Sequence, residues 1–366
     1  PTIPTATHPD RPRSAIVRQR SATPTGRMDL FRFDPPDPPD GAVRQIANDL
    51  YGVSGTTTRL RGERSHNTRI TTPDGEDFVL RIASASEPAA AIDCHALALV
   101  HIERASPALP IPRMRAARNG QLVPSVELDG HSHRVRLETY LPGTTFEDGQ
   151  VVSLPSLWAI GELLGGVTAA LAGFDHPAAW GFMPWDIANG LVVDEELNAA
   201  LPRDALELTA RARPRIDIAR ATMERLPRQV VHNDGHAGNL VRADGSSDHV
   251  TGLIDFGDLV HTVTVADVAV SAASLAPHQP DPEAALAALA AGYHSRRPLT
   301  EDEVQAIPDL VLARLVLSTL LVEFQIVNVP HLAAHVAGER PATHAALARW
   351  LDIDPAHAAA AITEAL

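Results

Sequence analysis

The chain is 366 residues long with 45% hydrophobic and 21% charged residues, an ordinary globular composition with enough apolar content to bury a core in each of two lobes. Its 31 Lys+Arg against 45 Asp+Glu give a net charge of −14, so there is no sequence-wide basic footprint for a nucleic-acid partner, while small cationic compounds would be drawn to it. Cys94 is the one cysteine, which excludes an internal disulfide framework and a Cys-built zinc site and fits a reducing, cytoplasmic setting.

Residues 1–40 hold nine prolines and six arginines with almost no apolar period, and are expected to form a disordered or loosely packed arm without a signal peptide's pattern. From 41 the pattern changes: "GAVRQIANDLYG" puts Val43, Ile46 and Leu50 on one helical face, and Gly52 stops it. Alternating segments follow in "TTTRLRGERSHNTRITTPDGEDFVLRIA", where Pro73-Asp74-Gly75 predicts a hairpin turn. Residues 89–104 read as a helix. "VPSVELDGHSHRVRLETYLPG" then supplies a second strand pair around Asp129-Gly130 and closes on Pro142-Gly143, a hinge signal. His131 and His133 flank that turn and are expected to be solvated, because no acidic or Cys partner stands at ligand spacing.

Past the hinge, helices dominate. Leu157, Ile160, Leu164, Val167 and Leu171 recur at three and four residues, the stripe of a core-facing helix. The most apolar run, 310–322 (LVLARLVLSTLLV), is broken by Arg314 and too short to cross a bilayer, so a buried helix is expected and no membrane span. The division that emerges is an arm at 1–40, a sheet lobe at 41–141 and a helical lobe at 142–366.

Two stretches carry chemistry. "HNDGHAGN" (232–239) places Asp234 five positions before Asn239, the spacing of a phosphoryl-transfer catalytic loop, in which the Asp takes or orients a hydroxyl proton and the Asn gives a neutral oxygen to magnesium. In "HVTGLIDFGDLV" the apolar strand Leu253-Ile254 runs straight into Asp255, with a glycine two positions on, so one carboxylate projects from a strand end toward a metal. Val230-Val231 does the same for the first loop. His232 is expected to pack rather than shuttle protons.

These residues resemble the aminoglycoside phosphotransferase and choline kinase group of small-molecule kinases, and within it the hydroxylysine kinase branch and the phosphotransferase domains fused to aminotransferases. The similarity runs in order through "GERSHN" (62–67), "FVLRI" (78–82), "RLETYLPG" (136–143), "FDHPAAWGFMPWDI" (174–187), "VVHNDGHAGNL" (230–240) and "GLIDFGDLVHTVTVADVAV" (252–270). The resemblance implies an α+β, bilobal protein-kinase-like fold with a small antiparallel-sheet N-lobe and a larger, mainly helical C-lobe. It also implies a loop over the nucleotide phosphates at Gly62–Asn67, with Ser65, His66 and Asn67, and base binding by the backbone near Glu138 to Tyr140. The strand lysine of the family is replaced by Arg81, for which Asp93 is the expected partner. Trp185 and Asp186 match the family's substrate-side insertion. Asn233 stands where many members have glycine, in a tight loop whose left-handed backbone Asn tolerates, and Asp267, in "VADVAV", falls at an implied helix start and is expected to cap it. Asp258, after the metal-binding loop, is expected either to face a cationic acceptor or to be an exposed loop carboxylate.

The reading is a small-molecule kinase that uses Mg2+ with ATP or GTP and phosphorylates a hydroxyl of an amine-bearing compound, a hydroxy amino acid or amino alcohol. Alternatives are an antibiotic-modifying or biosynthetic kinase acting on an aminoglycoside or a peptide Ser/Thr, and a nucleotide-binding pseudokinase, which the Arg81 exchange would favour.

Overall fold

A computed structural model describes residues 33–147, 149–190, 201–243 and 249–366. Within the expected arm, residues 33–39 are extended and pack on the sheet lobe: Ser84 Oγ donates to Asp34 O and accepts from Asp34 N, and Asp37 lies by Arg59 and His66. The arm therefore ends earlier than its proline content suggests, because these backbone groups and Asp37 find partners on the sheet. Residues 1–32 lie outside the described residues.

Helix α1 (Asp40–Tyr51) ends at Gly52, whose φ of 69° lets its N–H return to the carbonyls of Ala47 and Asn48. Its buried residues are Val43, Ala47 and Tyr51, while Ile46 and Leu50 are half-buried at the edge of the same face. Strands β1 (Thr56–Leu60), β2 (Ser65–Thr71), β3 (Asp77–Ala83), β4 (Met114–Arg115) and β6 (His131–Thr139) form an antiparallel sheet in the order β1-β2-β3-β6-β4, and β5 (Ser125–Leu128) pairs with β6. Asp129 and Gly130 join β5 to β6 with φ of 51° and 79°, the paired positive angles of a tight hairpin.

Strand alternation divides the lobe. Phe78, Leu80 and Ile82 of β3 and Val135 and Leu137 of β6 pack with α1 into one core, so the residues between them, Arg81, Arg136 and Glu138, fall on the opposite face, toward α2 (Ala89–Ala105). The sheet's charged face thus lines the cleft because its apolar face is committed to α1.

The chain leaves β6 through Pro142-Gly143, where Gly143 has φ 134° and a Cβ would stand 2.2 Å from Arg242 O. It then enters β7 (Thr144–Thr145), which pairs with β9 (Leu240–Arg242), itself paired with β10 (Val250–Leu253). Helix α3 (Leu154–Ala170) buries the whole expected stripe from Leu157 to Leu171. On it pack α5 (Ala266–Leu275) and, along its length, α6 (Pro282–Arg296), while α4 (Arg203–Met223), α8 (Pro330–Leu351) and α9 (Pro355–Ala365) gather on α7 (Glu301–Asn328). A capping box of Thr300 and Glu303 starts α7, which is long and apolar enough to cross a membrane by length and composition, yet 78% of its most apolar window is buried inside the lobe as a core helix.

Candidate active site

Strand β8 (Arg228–Val231), paired with β11 (Val260–Val263), delivers the loop at 232–239. Asn233 takes the left-handed turn at φ 66°. Asp267, in the first turn of α5, does not cap its own helix: its Oδ1 accepts from Asn233 N at 2.7 Å, and its Oδ2 from His232 N at 3.3 Å and Thr168 Oγ1 at 2.9 Å. Burial lifts its pKa to about 6 although these three donors favour the charged form. The capping expectation fails because the loop's N–H groups are buried and need an acceptor more than the helix end does. His232 is fully buried, stands edge-on to Phe256 and accepts from Asp234 N through Nδ1, and burial pushes its pKa down to about 4, so it is a neutral packing residue.

Asp234 stands at the cleft with its pKa raised well above the usual carboxylate range, by burial first and then by Asp258 and Asp255. Asn239 gives Nδ2 to both Asp234 O (2.9 Å) and Asp234 Oδ2 (2.7 Å). Its amide nitrogen is thereby spent, and Oδ1 is what it has left to offer. Across the β9–β10 pair, Ile254 N donates to Asn239 O, which brings Asp255 beside it. Asp255 has φ 64° and accepts from Gly257 N. Burial alone would raise its pKa, but Arg81, His95, Arg64 and Arg136 hold it below the usual value. An amide oxygen and an ionised carboxylate on adjacent strand ends are the hard oxygen donors that suit magnesium. Among the described residues no three His, Cys, Asp or Glu side chains converge as a ready-made metal cage, so the remaining ligands would come from phosphate and water. Of the two histidines expected to be solvated, His131 is exposed, but His133 is buried, because its side chain turns inward to bond Ala83 O through Nδ1.

The phosphate side differs from expectation. Arg81 Nε lies 3.2 Å from Glu138 Oε2, and Glu138 Oε1 lies 2.9 Å from both Arg136 Nε and His95 Nε2. Asp93 instead pairs with Arg134 near the surface. Helix α2 turns His95, not Asp93, toward Arg81, and the carboxylate comes from the neighbouring strand, two positions along the same face as Arg136. Glu138 is therefore a buried ion-pair residue, held well below the ordinary carboxylate pKa: its burial opposes ionisation, but Arg81, His95 and Arg136 outweigh it. Its backbone lies between two sheet partners, Val79 and Met114, and Tyr140 N is given to Asp77 O, so neither residue's N–H is free to read a base. All 31 basic side chains are arginines, so Arg81 reflects a lysine-free chain rather than one altered position.

In the loop, a Cβ on Gly62 would stand 2.4 Å from Ser65 O, which fixes glycine there. Ser65 Oγ donates to Asn67 Oδ1 and Asn67 Nδ2 to Arg61 O, so both side chains close on the loop itself rather than reaching out of it. His66 alternates to the other face and lies buried toward Asp37, away from the cleft. The loop side chain that does enter the cleft is Arg64: stacked on Phe33, it meets Asp258 Oδ1 at 2.7 Å across the lobes. Asp258 is thus already paired.

On the acceptor side, Asp186 is buried and accepts from Ala188 N and Thr262 Oγ1, so it holds the turn before a short helix rather than facing a ligand. Trp185 is half-buried, with its carbonyl bonded by Arg314 and its ring under the same guanidinium.

The profile of the phosphotransferase enzyme family (APH) matches residues 56–304, and the chain belongs to that family. It is a small-molecule phosphotransferase with a kinase-like α+β fold. Among curated relatives it is 24% identical over 310 residues to a hydroxylysine kinase of Danio rerio, covering 79% of this chain and 84% of that one. A hydroxylysine kinase of Mus musculus is 24% identical over 261 residues, covering 67% and 69%. Of solved structures, a microcompartment-associated aminopropanol kinase superposes with a TM-score of 0.64 at 18% identity over 84% of this chain and 96% of its own. An amicoumacin kinase bound to AMP-PNP, Ca2+ and its substrate superposes with a TM-score of 0.62 at 16% identity over 84% and 92%.

Proposed function

We propose that the protein is a kinase that moves the γ-phosphoryl of MgATP or MgGTP to a hydroxyl of an amine-bearing small molecule, a hydroxy amino acid or amino alcohol of the hydroxylysine type, in the cytoplasm. The observation that carries this is the bonded pair of Asp234 and Asn239 beside Asp255. A scaffold has no chemical need for a carboxylate of raised basicity, an amide with its nitrogen spent and a low-pKa carboxylate in one cleft. Hydroxylysine kinases among the relatives and an aminopropanol kinase among the structural neighbours support the acceptor class.

Asp234 would accept a hydrogen bond from the acceptor hydroxyl and, being held above the usual carboxylate range, takes its proton more readily than an ordinary carboxylate. Asn239 Oδ1 and Asp255 would hold magnesium, which when bound neutralises charge on the phosphate oxygens. Arg81 and Arg136 add fixed positive charge on the phosphate side, held in place by Glu138. Positioning and charge carry the rate, as this reaction requires. The test is nucleoside diphosphate release from MgATP and MgGTP across hydroxy amino acids, amino alcohols and aminoglycosides. Acceptor-dependent release that falls about a hundredfold or more in Asp234→Asn supports the reading. Nucleotide binding without release on any acceptor would make the protein a pseudokinase.

A further inference from the structure

The apolar run 310–322 of α7 carries one charge in its middle. Arg314 sits in α7 with Leu310 to Leu317 buried around it, and is itself only 6% exposed. Buried guanidinium groups are ordinarily paired with a carboxylate. Arg81 and Arg136 have Glu138, Arg215 has Asp309 and Arg297 has Glu303. Arg314 makes no ion pair among the described residues. Of its five N–H donors one is used, Nη1 to the Trp185 carbonyl, and its plane lies 5.1 Å from the Trp185 ring centre.

Three carboxylates are within its electrostatic reach, Asp234, Asp258 and Asp186. Each is engaged elsewhere: Asp234 by Asn239, Asp258 by Arg64, Asp186 by Thr262 and Ala188. The phosphate-side cations lie on the other lobe, so Arg314 is separate from them. With its neighbouring carboxylates engaged, Arg314 is a buried guanidinium without an ion pair among the described residues, and the chemistry complementary to it is a carboxylate.

We propose that Arg314 binds the carboxylate of the acceptor, so that the site selects hydroxy amino acids with a free carboxylate over amino alcohols and aminoglycosides that lack one. This rests on the kinase reading for the hydroxyl's place at Asp234, but the carboxylate preference can be measured by binding alone.

The experiment titrates the MgAMP-PNP-loaded protein by calorimetry with serine, threonine, homoserine and 5-hydroxylysine, each against its own carboxamide, which removes the charge and keeps the shape. The wild type is expected to bind its best acid about tenfold or more tightly than the matching amide, the range of a charge-assisted hydrogen bond. Arg314→Gln should bring the two within about twofold, and Arg314→Lys should restore part of the gap. Equal binding of acid and amide by the wild type overturns the proposal with no variant needed, as does failure of every acid to bind. A variant that weakens acid and amide alike also overturns it, since Arg314 would then only balance the charge of Asp234. Acceptor-dependent ADP release is read separately, so a protein that prefers acids but transfers no phosphoryl group would sink the kinase reading and leave this one standing.

Discussion

His232 shows how burial sets a titration at the scale of one residue. Its pKa is lowered to about 4, so between there and the unfolded value near 6.5 the unfolded chain binds a proton that the folded chain does not. Stability from this side chain is present above the unfolded pKa and is lost as pH falls. Replacement by Gln removes that dependence. The destabilisation caused by His232→Gln, measured in urea, should therefore shrink by about 2 kcal/mol on going from about pH 7.5 to about pH 5. No change with pH would mean that the ring is charged in the fold. Asp267 shows the converse case, a carboxylate that stays buried because two loop N–H groups and Thr168 need it. Its sequence context, the start of a helix, pointed to a cap, and nothing local in "VADVAV" marks the loop it serves.

At the scale of elements, the close pair is α3 and α6. Gly161 and Gly165 let the backbones touch: a Cβ on Gly161 would stand 1.9 Å from Leu289 O, which is backbone and cannot swing away. Gly161→Ala should lower stability by roughly 2 kcal/mol or more through overpacking, and the melting temperature by about 4 °C or more, in a thermal melt. A change under a degree would show that the helices can slide apart freely. The charged face of the N-lobe follows a similar logic. Phe78, Leu80 and Ile82 of β3 pack against α1, which turns Arg81 to the other face. That Glu138 rather than Asp93 meets it depended on which strands are neighbours and how α2 is rotated, which no local pattern encodes.

Across the whole molecule, Arg64 links the lobes through Asp258 while stacked on Phe33. Its pKa is raised, chiefly by Asp258, the direction expected of a guanidinium seated on a carboxylate. Because this contact holds the loop at 62–67, proposed to cover the phosphates, near the cleft, Arg64→Met should weaken MgATP binding about tenfold by titration, the scale of one charge-assisted hydrogen bond. The melting temperature should stay within a few degrees, since each lobe keeps its own core. Unchanged affinity would make the bridge incidental to nucleotide.

Legible from sequence were a sheet lobe followed by a helical one, the buried α7 and the run of motifs that place Asp234, Asn239 and Asp255 on loops after apolar strands. These are local properties: periodicity, turn chemistry and spacing along one stretch of chain. Tertiary structure decided which charges meet. Arg81 with Glu138, Arg64 with Asp258, Asp267 with the loop at 232–233 and Arg314 with Trp185 each join residues far apart in sequence, and burial then fixes their protonation. Arg314 was visible throughout as the single charge in an apolar run. Only the packing of α7 shows that this charge makes no ion pair among the described residues, because a charge's partners are set by three-dimensional proximity and its cost by the loss of water around it.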